Sequence, residues 1–149
     1  MENEKVSWEK VYKTSQVIWI ATLMSQIVFP AFVLAGKPNL LRLDLSGLIL
    51  GSNATFVLAL AAVSILSLTL SFVLKKKFLA QAIAETKPSL FITATIVSVA
   101  LAEVSSLIGL LLALAFNYQF FFVFSALGII GTVLHFPKGD EDNSAGFKP

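Results

Sequence analysis

SLFITATIVSVALAEVSSLIGLLLALAF, Ser89 to Phe116, is an apolar run of 28 residues with one ionisable side chain, Glu103, at its middle. About 20 apolar residues suffice to cross a ~30 Å hydrocarbon core. At about 1.5 Å per residue this run is over-long, so it must tilt or project beyond an interface. It reads as a transmembrane helix. A carboxyl at mid-bilayer depth is costly unless it is protonated, partnered or facing water. Two readings of Glu103 stay open. An intramembrane acid marks an ion-binding site by default, and a protonated Glu can also tie two helices together through hydrogen bonds.

A second pattern runs along the same stretch. Ala94, Ser98, Ala102, Ser105, Gly109 and Ala113 recur at spacings of three and four, which places them in one stripe of a helix. Small residues in such a stripe let helix backbones approach closely in lipid. Ser98, Ala102, Ser105, Gly109 and Ala113 are therefore the expected helix-packing face, with the Ala- and Ser-rich second span as partner. Glu103 borders this face, and Ser106 lies one turn further on.

Composition fixes the class. The chain has 149 residues, 56% of them hydrophobic and 13% charged, with mean hydropathy +0.83. That is too apolar for a soluble domain of this size and leaves no room for a separate one. The expected fold is an all-α integral membrane protein, a four-transmembrane-helix bundle whose principal partner is the lipid bilayer. The net charge of +2 serves topology, and no nucleic acid partner is expected. Zero Cys excludes disulfides and thiol chemistry, and a single His, His135, leaves no clustered metal ligands. There is no P-loop, Rossmann fingerprint or nucleophile elbow, so neither a cofactor nor an enzyme is expected. The N-terminus is of mixed charge and its first apolar run lacks an A-x-A exit, so no cleavable signal is expected.

In chain order, residues 1–15 form a polar lead-in with Trp8 and Tyr12 at headgroup level. The first span, 16–36, carries Gln26 near its centre and a kinking Pro30. A connection from Lys37 to Asn53 follows, with Asn53 as helix cap. The second span, 54–74, has Ser64 at its middle and ends at Lys75-Lys76-Lys77, with a helical extension or a surface helix beyond. Thr86 is a candidate cap and Pro88 a first-turn residue for the third span, 89–116. A short turn leads to a fourth span, 120–136, rich in Phe, with Gly128 and Gly131 as a contact face and His135 as a solvated rim residue. A polar tail occupies 138–149. Gln26, Ser64 and Glu103 all fall near the centres of their spans. Together with Ser106 they form the candidate ion-binding set.

Nine of the eleven Lys and Arg residues fall in the N-terminus, the second loop and the tail, which share a side in a four-span chain. Positive charge stays inside, so both termini are expected in the cytoplasm. The expected location is a bacterial inner membrane.

The run Ala100 to Leu114, ALAEVSSLIGLLLAL, resembles the carboxylate-bearing helix of the proteolipid (c) subunit of rotary ATP synthases. In that family a Gly-Leu pair follows the ion-carrying Glu six and seven positions on, and an Ala-Leu pair ten and eleven on. Here Gly109-Leu110 and Ala113-Leu114 occupy those positions. The resemblance implies that Glu103 carries a proton or cation within a homo-oligomer. The second span has Ala and Ser where the family has a glycine-x-glycine stripe, and a further span follows the carboxylate helix. The whole chain also resembles small uncharacterised bacterial four-span membrane proteins. The alternative function is an accessory subunit among other membrane subunits, with Glu103 as an interhelical tie. Small multidrug exporters also have four spans and a membrane Glu, but on their first helix, where this chain has Gln26.

Overall fold

A computed structural model describes residues 2–41 and 53–138. The side chains of residues 2–8 and 41 lie outside that description, as do most of the first connection and the tail. The expected placement of Trp8 and of the tail therefore falls outside the described residues. The described residues form four α-helices, α1 (Glu2–Gly36), α2 (Ala54–Ala84), α3 (Pro88–Phe116) and α4 (Phe121–Leu134), with one 3-10 turn at Pro38–Leu41. Among the described residues there is no strand. Three of the helices are long and apolar enough to cross a membrane, those of α1 from Glu9, α2 and α3. The protein is a helical membrane bundle.

The helix α3 is its axis. Among the described residues, α1, α2 and α4 all pack on α3, α4 fills the angle between α3 and α1 and also touches α2, and α1 and α2 are not packed on each other. One flank of α3 therefore stays open, and Ile96, Leu107, Leu111 and Leu114 are exposed along it. That exposure matches a lipid-facing surface, since hydrocarbon tails are as apolar as Leu.

The helix α4 is shorter than the expected fourth span. Its 14 residues extend about 21 Å, less than a ~30 Å core. Pro137 cannot continue a helix, and the last turn tightens, with His135 N–H donating to Thr132 O (3.0 Å) and Phe136 N–H to Val133 O (3.2 Å). The flanking residues make up the depth. Phe136 packs edge-on against Trp19 (4.9 Å between ring centroids), and His135 lies over Phe72 (4.3 Å), three residues before Lys75. At the opposite end, Lys37 Nζ donates to Ala113 O (3.1 Å), Leu114 O (2.7 Å) and Asn117 Oδ1 (2.7 Å). An ammonium there satisfies carbonyls that the end of α3 leaves open and complements its negative pole.

α1 runs through Pro30 without a break. α2 continues past Lys75–Lys77 to Ala84, so the stretch beyond the second span is a helical extension. The helix caps depart from expectation. Asn53 stands at the cap position of α2 but makes no side-chain cap bond. Thr86 does not cap α3; Lys87 holds that position, ahead of Pro88. Thr86 instead closes α2, with Lys87 N–H donating to Ala82 O (3.1 Å) and Thr86 N–H to Ile83 O (3.3 Å). This is a Schellman closure, which needs a left-handed residue, and Thr86 has φ 51°. A β-branched residue is strained there. Thr86→Gly should therefore stabilise the protein by about 1 kcal/mol, read as a raised unfolding midpoint in detergent.

Candidate functional site

Three helices meet at one buried amide. Gln26 on α1 is fully buried. Its Nε2 donates to Thr132 Oγ1 on α4 (2.6 Å), and its Oε1 accepts from Ser106 Oγ on α3 (3.0 Å). Trp19, two turns earlier on α1, donates its indole N–H to Thr132 O (2.6 Å). Ser105 Oγ donates to Phe124 O (2.9 Å), a second tie from α3 to α4. In hydrocarbon such bonds replace water that is not there, which is why buried polar groups recur as pairs. Pro30 adds a local demand: lacking an N–H, it withdraws the helix partner of the Gln26 carbonyl.

Gly128 makes this meeting possible. A Cβ at Gly128 would overlap Ser106 Oγ and lie 3.0 Å from both Gln26 Oε1 and Ser106 N. Only hydrogen fits where α4 crosses over that bond. Gly131 has the same role a turn further along, where a Cβ would collide with Leu68 and lie 3.3 Å from the Ala102 Cβ.

Four residues of the small stripe, Ala102, Ser105, Gly109 and Ala113, meet α4, whereas the expected partner is α2. Ala102 lies under Gly131, and a Cβ on Gly109 would come within 2.7 Å of Phe121 O and 3.0 Å of the Phe124 Cβ. Ala113 packs with Val33, Leu40 and Phe121. Ser98 is buried and donates to Thr95 O (3.0 Å) within α3. The physical reason is size matching. α4 offers two glycines at close contact, whereas α2 meets α3 through Val57 and its neighbours against Ile108 and Leu112, with Phe124 of α4 in the same cluster.

Glu103 stands apart from the buried tie. It is half-buried, and it shares the face of α3 that carries exposed Ile96, Leu107 and Leu114. Its Oε1 lies 2.7 Å from Ser25 Oγ on α1. Ser25 Oγ also lies 2.7 Å from Thr22 O on its own helix. So the carboxyl sits on the seam between α1 and the open flank, beside a hydroxyl.

Of the candidate set, Gln26 and Ser106 are bonded to each other, and Glu103 is bonded to Gln26's neighbour. Ser64 is not in either group. It is buried on α2, on the other side of α3, and donates to Leu60 O (3.0 Å). A helical Ser with no partner across the interface takes the carbonyl one turn back. His135 is also displaced from its expected role. It is 1% exposed, not a solvated rim residue, and its Nδ1 is 2.6 Å from Gly131 O. The bulky Phe72 ring above and the glycine carbonyl beside it make a closed seat. Ser25, Thr132 and Lys37 are site residues that the sequence does not single out. For Ser25 the available signal is proximity, since it adjoins Gln26. Thr132 and Lys37 carry no local pattern.

No family model, curated protein or solved structure matches this chain. Any reading of function therefore rests on the site.

The close crossing at Gly128 can be tested directly. Gly128→Ala should destabilise the bundle by on the order of 2 kcal/mol, the scale of overpacking a tight contact. Gly36→Ala, whose Cβ would meet nothing within 4 Å, serves as the matched control in the same thermal unfolding series.

Proposed function

We propose that this small membrane protein binds and releases a proton at Glu103. The observation that supports the reading is a division of labour. The ties that hold α1, α3 and α4 together run through Gln26, Ser106, Thr132, Ser105 and Trp19. Glu103 stands outside that buried network and meets α1 through Ser25 at the edge of the seam. A half-buried carboxyl at the rim of the bundle fits exchange better than scaffolding. In hydrocarbon an ionised carboxyl is costly without a partner, so a proton is a natural ligand for such a group.

A second reading draws on the open flank of α3. A partner helix, from another copy or an unlike subunit, could lie along Ile96, Leu107 and Leu114 and meet Glu103 from outside. In that reading the protein is a subunit of an assembly and Glu103 ties it to its neighbour. The mass of the detergent-extracted particle separates the cases: a homo-oligomer, a complex with unlike subunits, or a monomer.

The proton reading makes a chemical prediction. A protonated carboxyl in an apolar setting adds to a hydrophobic carbodiimide, its oxygen bonding the central carbon and its proton passing to nitrogen, so the reagent should label the wild-type protein in lipid vesicles at Glu103. Glu103→Gln should keep the fold and lose the label. Wild-type protein that stays unlabelled across the acidic and neutral range would rule the reading out.

Location in a bacterial inner membrane with both termini cytoplasmic belongs to the same proposal and rests on the charge distribution. Cysteine placed at Ser46 should react with an impermeant reagent from outside the cell. Cysteine placed at Ser144 should react only after permeabilisation.

A further inference from the structure

The Ser25 hydroxyl stands 2.7 Å from two oxygens at once, Thr22 O and Glu103 Oε1. A hydroxyl has one hydrogen to donate. With an ionised carboxylate, one of the two short contacts is left as two acceptors facing each other. With a neutral carboxyl, both become hydrogen bonds: Glu103 donates to Ser25 Oγ, and Ser25 donates to Thr22 O. Two short contacts at equal distance fit this ordered pair.

We propose that Ser25 is the positioning residue that makes Glu103 a proton site, by accepting the carboxyl's hydrogen and passing its own to the Thr22 carbonyl. This deepens the proton reading and rests on it. Uptake forms one O–H bond on the Glu103 carboxylate, and release breaks it. No other bond changes, and the Ser25 hydrogen swings from the carboxylate to the carbonyl. Ser25 thus distinguishes the two states of the acid, holding the neutral one in a closed chain of donors.

The same geometry disfavours a metal cation as the bound species. Such an ion takes about six oxygen ligands. One turn either way along α3, Glu103 has Val99, Ala100 and Leu107 as neighbours, all hydrocarbon, and Ser106, whose hydroxyl is engaged with Gln26. Among the described residues, no other titratable group shares its depth. α1 carries Glu9, Lys10, Tyr12 and Lys13 towards its polar end and Lys37 beyond the other. α2 carries Lys75, Lys76 and Lys77 at its exit, and α4 ends at His135.

The test is an infrared pH titration of the full chain in phosphatidylcholine vesicles, following the carbonyl stretch of the protonated acid. The band is assigned by its loss in Glu103→Gln. In Ser25→Ala the protonated form loses its acceptor. Proton affinity should fall about three- to tenfold, moving the midpoint to lower pH, and the band should shift to higher frequency. Ser25→Thr, which keeps the hydroxyl, should restore both. Replacing sodium by choline at constant ionic strength should leave the midpoint unchanged. A midpoint that rises in Ser25→Ala would mean that Ser25 donates to the ionised carboxylate, and would overturn the proposal. So would a midpoint that depends on sodium. A wild-type band that never titrates would instead remove the underlying proton reading. Should Ser25→Ala lose its helical circular dichroism, Ser25→Cys takes its place, since a thiol is a weak hydrogen-bond partner of similar shape.

Discussion

The bundle depends on one constraint: a primary amide, Gln26, has to be satisfied where there is no water. Its two ends reach α3 and α4 at once, through Ser106 and Thr132. The contact to Thr132 brings α4 across the Gln26–Ser106 bond, where Gly128 lets it come within a glycine's width of α3. The close approach then dictates the rest. It turns Ala102, Ser105 and Gly109 of α3 toward α4, while α2 packs on α3 at Ile108 and Leu112 and reaches α4 at Gly131 through Leu68. In lipid, where apolar burial gives helices little reason to associate, contact distance and hydrogen bonding decide which helices meet.

Much of this is legible in the chain. Run length and composition specify the membrane class and the helices, because a bilayer imposes one length and one backbone solution. The acid at Glu103, the amide at Gln26 and the small stripe also stand out against hydrocarbon. What periodicity leaves open is pairing. Ser98, Ala102 and Gly109 announce a face but not its partner, and the second span is as rich in small residues as the fourth. Ser64 illustrates the same gap: mid-span position gives depth, while direction depends on which neighbour occupies each side of α3. The rim role expected of His135 follows from its sequence position, next to Phe136 and Pro137 at the end of a span; a seat under Phe72 requires knowing how α2 and α4 are aligned.

Bonding arithmetic adds what distance alone does not. Around Glu103 the contacts are few, and their value lies in how many hydrogens are present to fill them. The paired 2.7 Å contacts at Ser25 make hydrogen count a feature of the geometry. Gln26, by contrast, has donors and acceptors matched whatever the pH. One polar centre of the bundle is thus fixed in its bonding and the other is variable, although the two adjoin on α1.

The ammonium of Lys37 bears on the order of assembly. Its three oxygen partners lie 76 to 80 residues later in the chain, at the far end of α3. Thr132, which closes on Gln26, comes 106 residues after it. The first helix therefore reaches the bilayer with its amide and its terminal charge both awaiting partners that synthesis has yet to deliver. Ser106 can meet the amide oxygen once α3 arrives, but the amide nitrogen has to wait for the last helix. Docking of the last helix would then be the event that locks the first one in place, so that a chain truncated before α4 leaves its earliest segment the least secured.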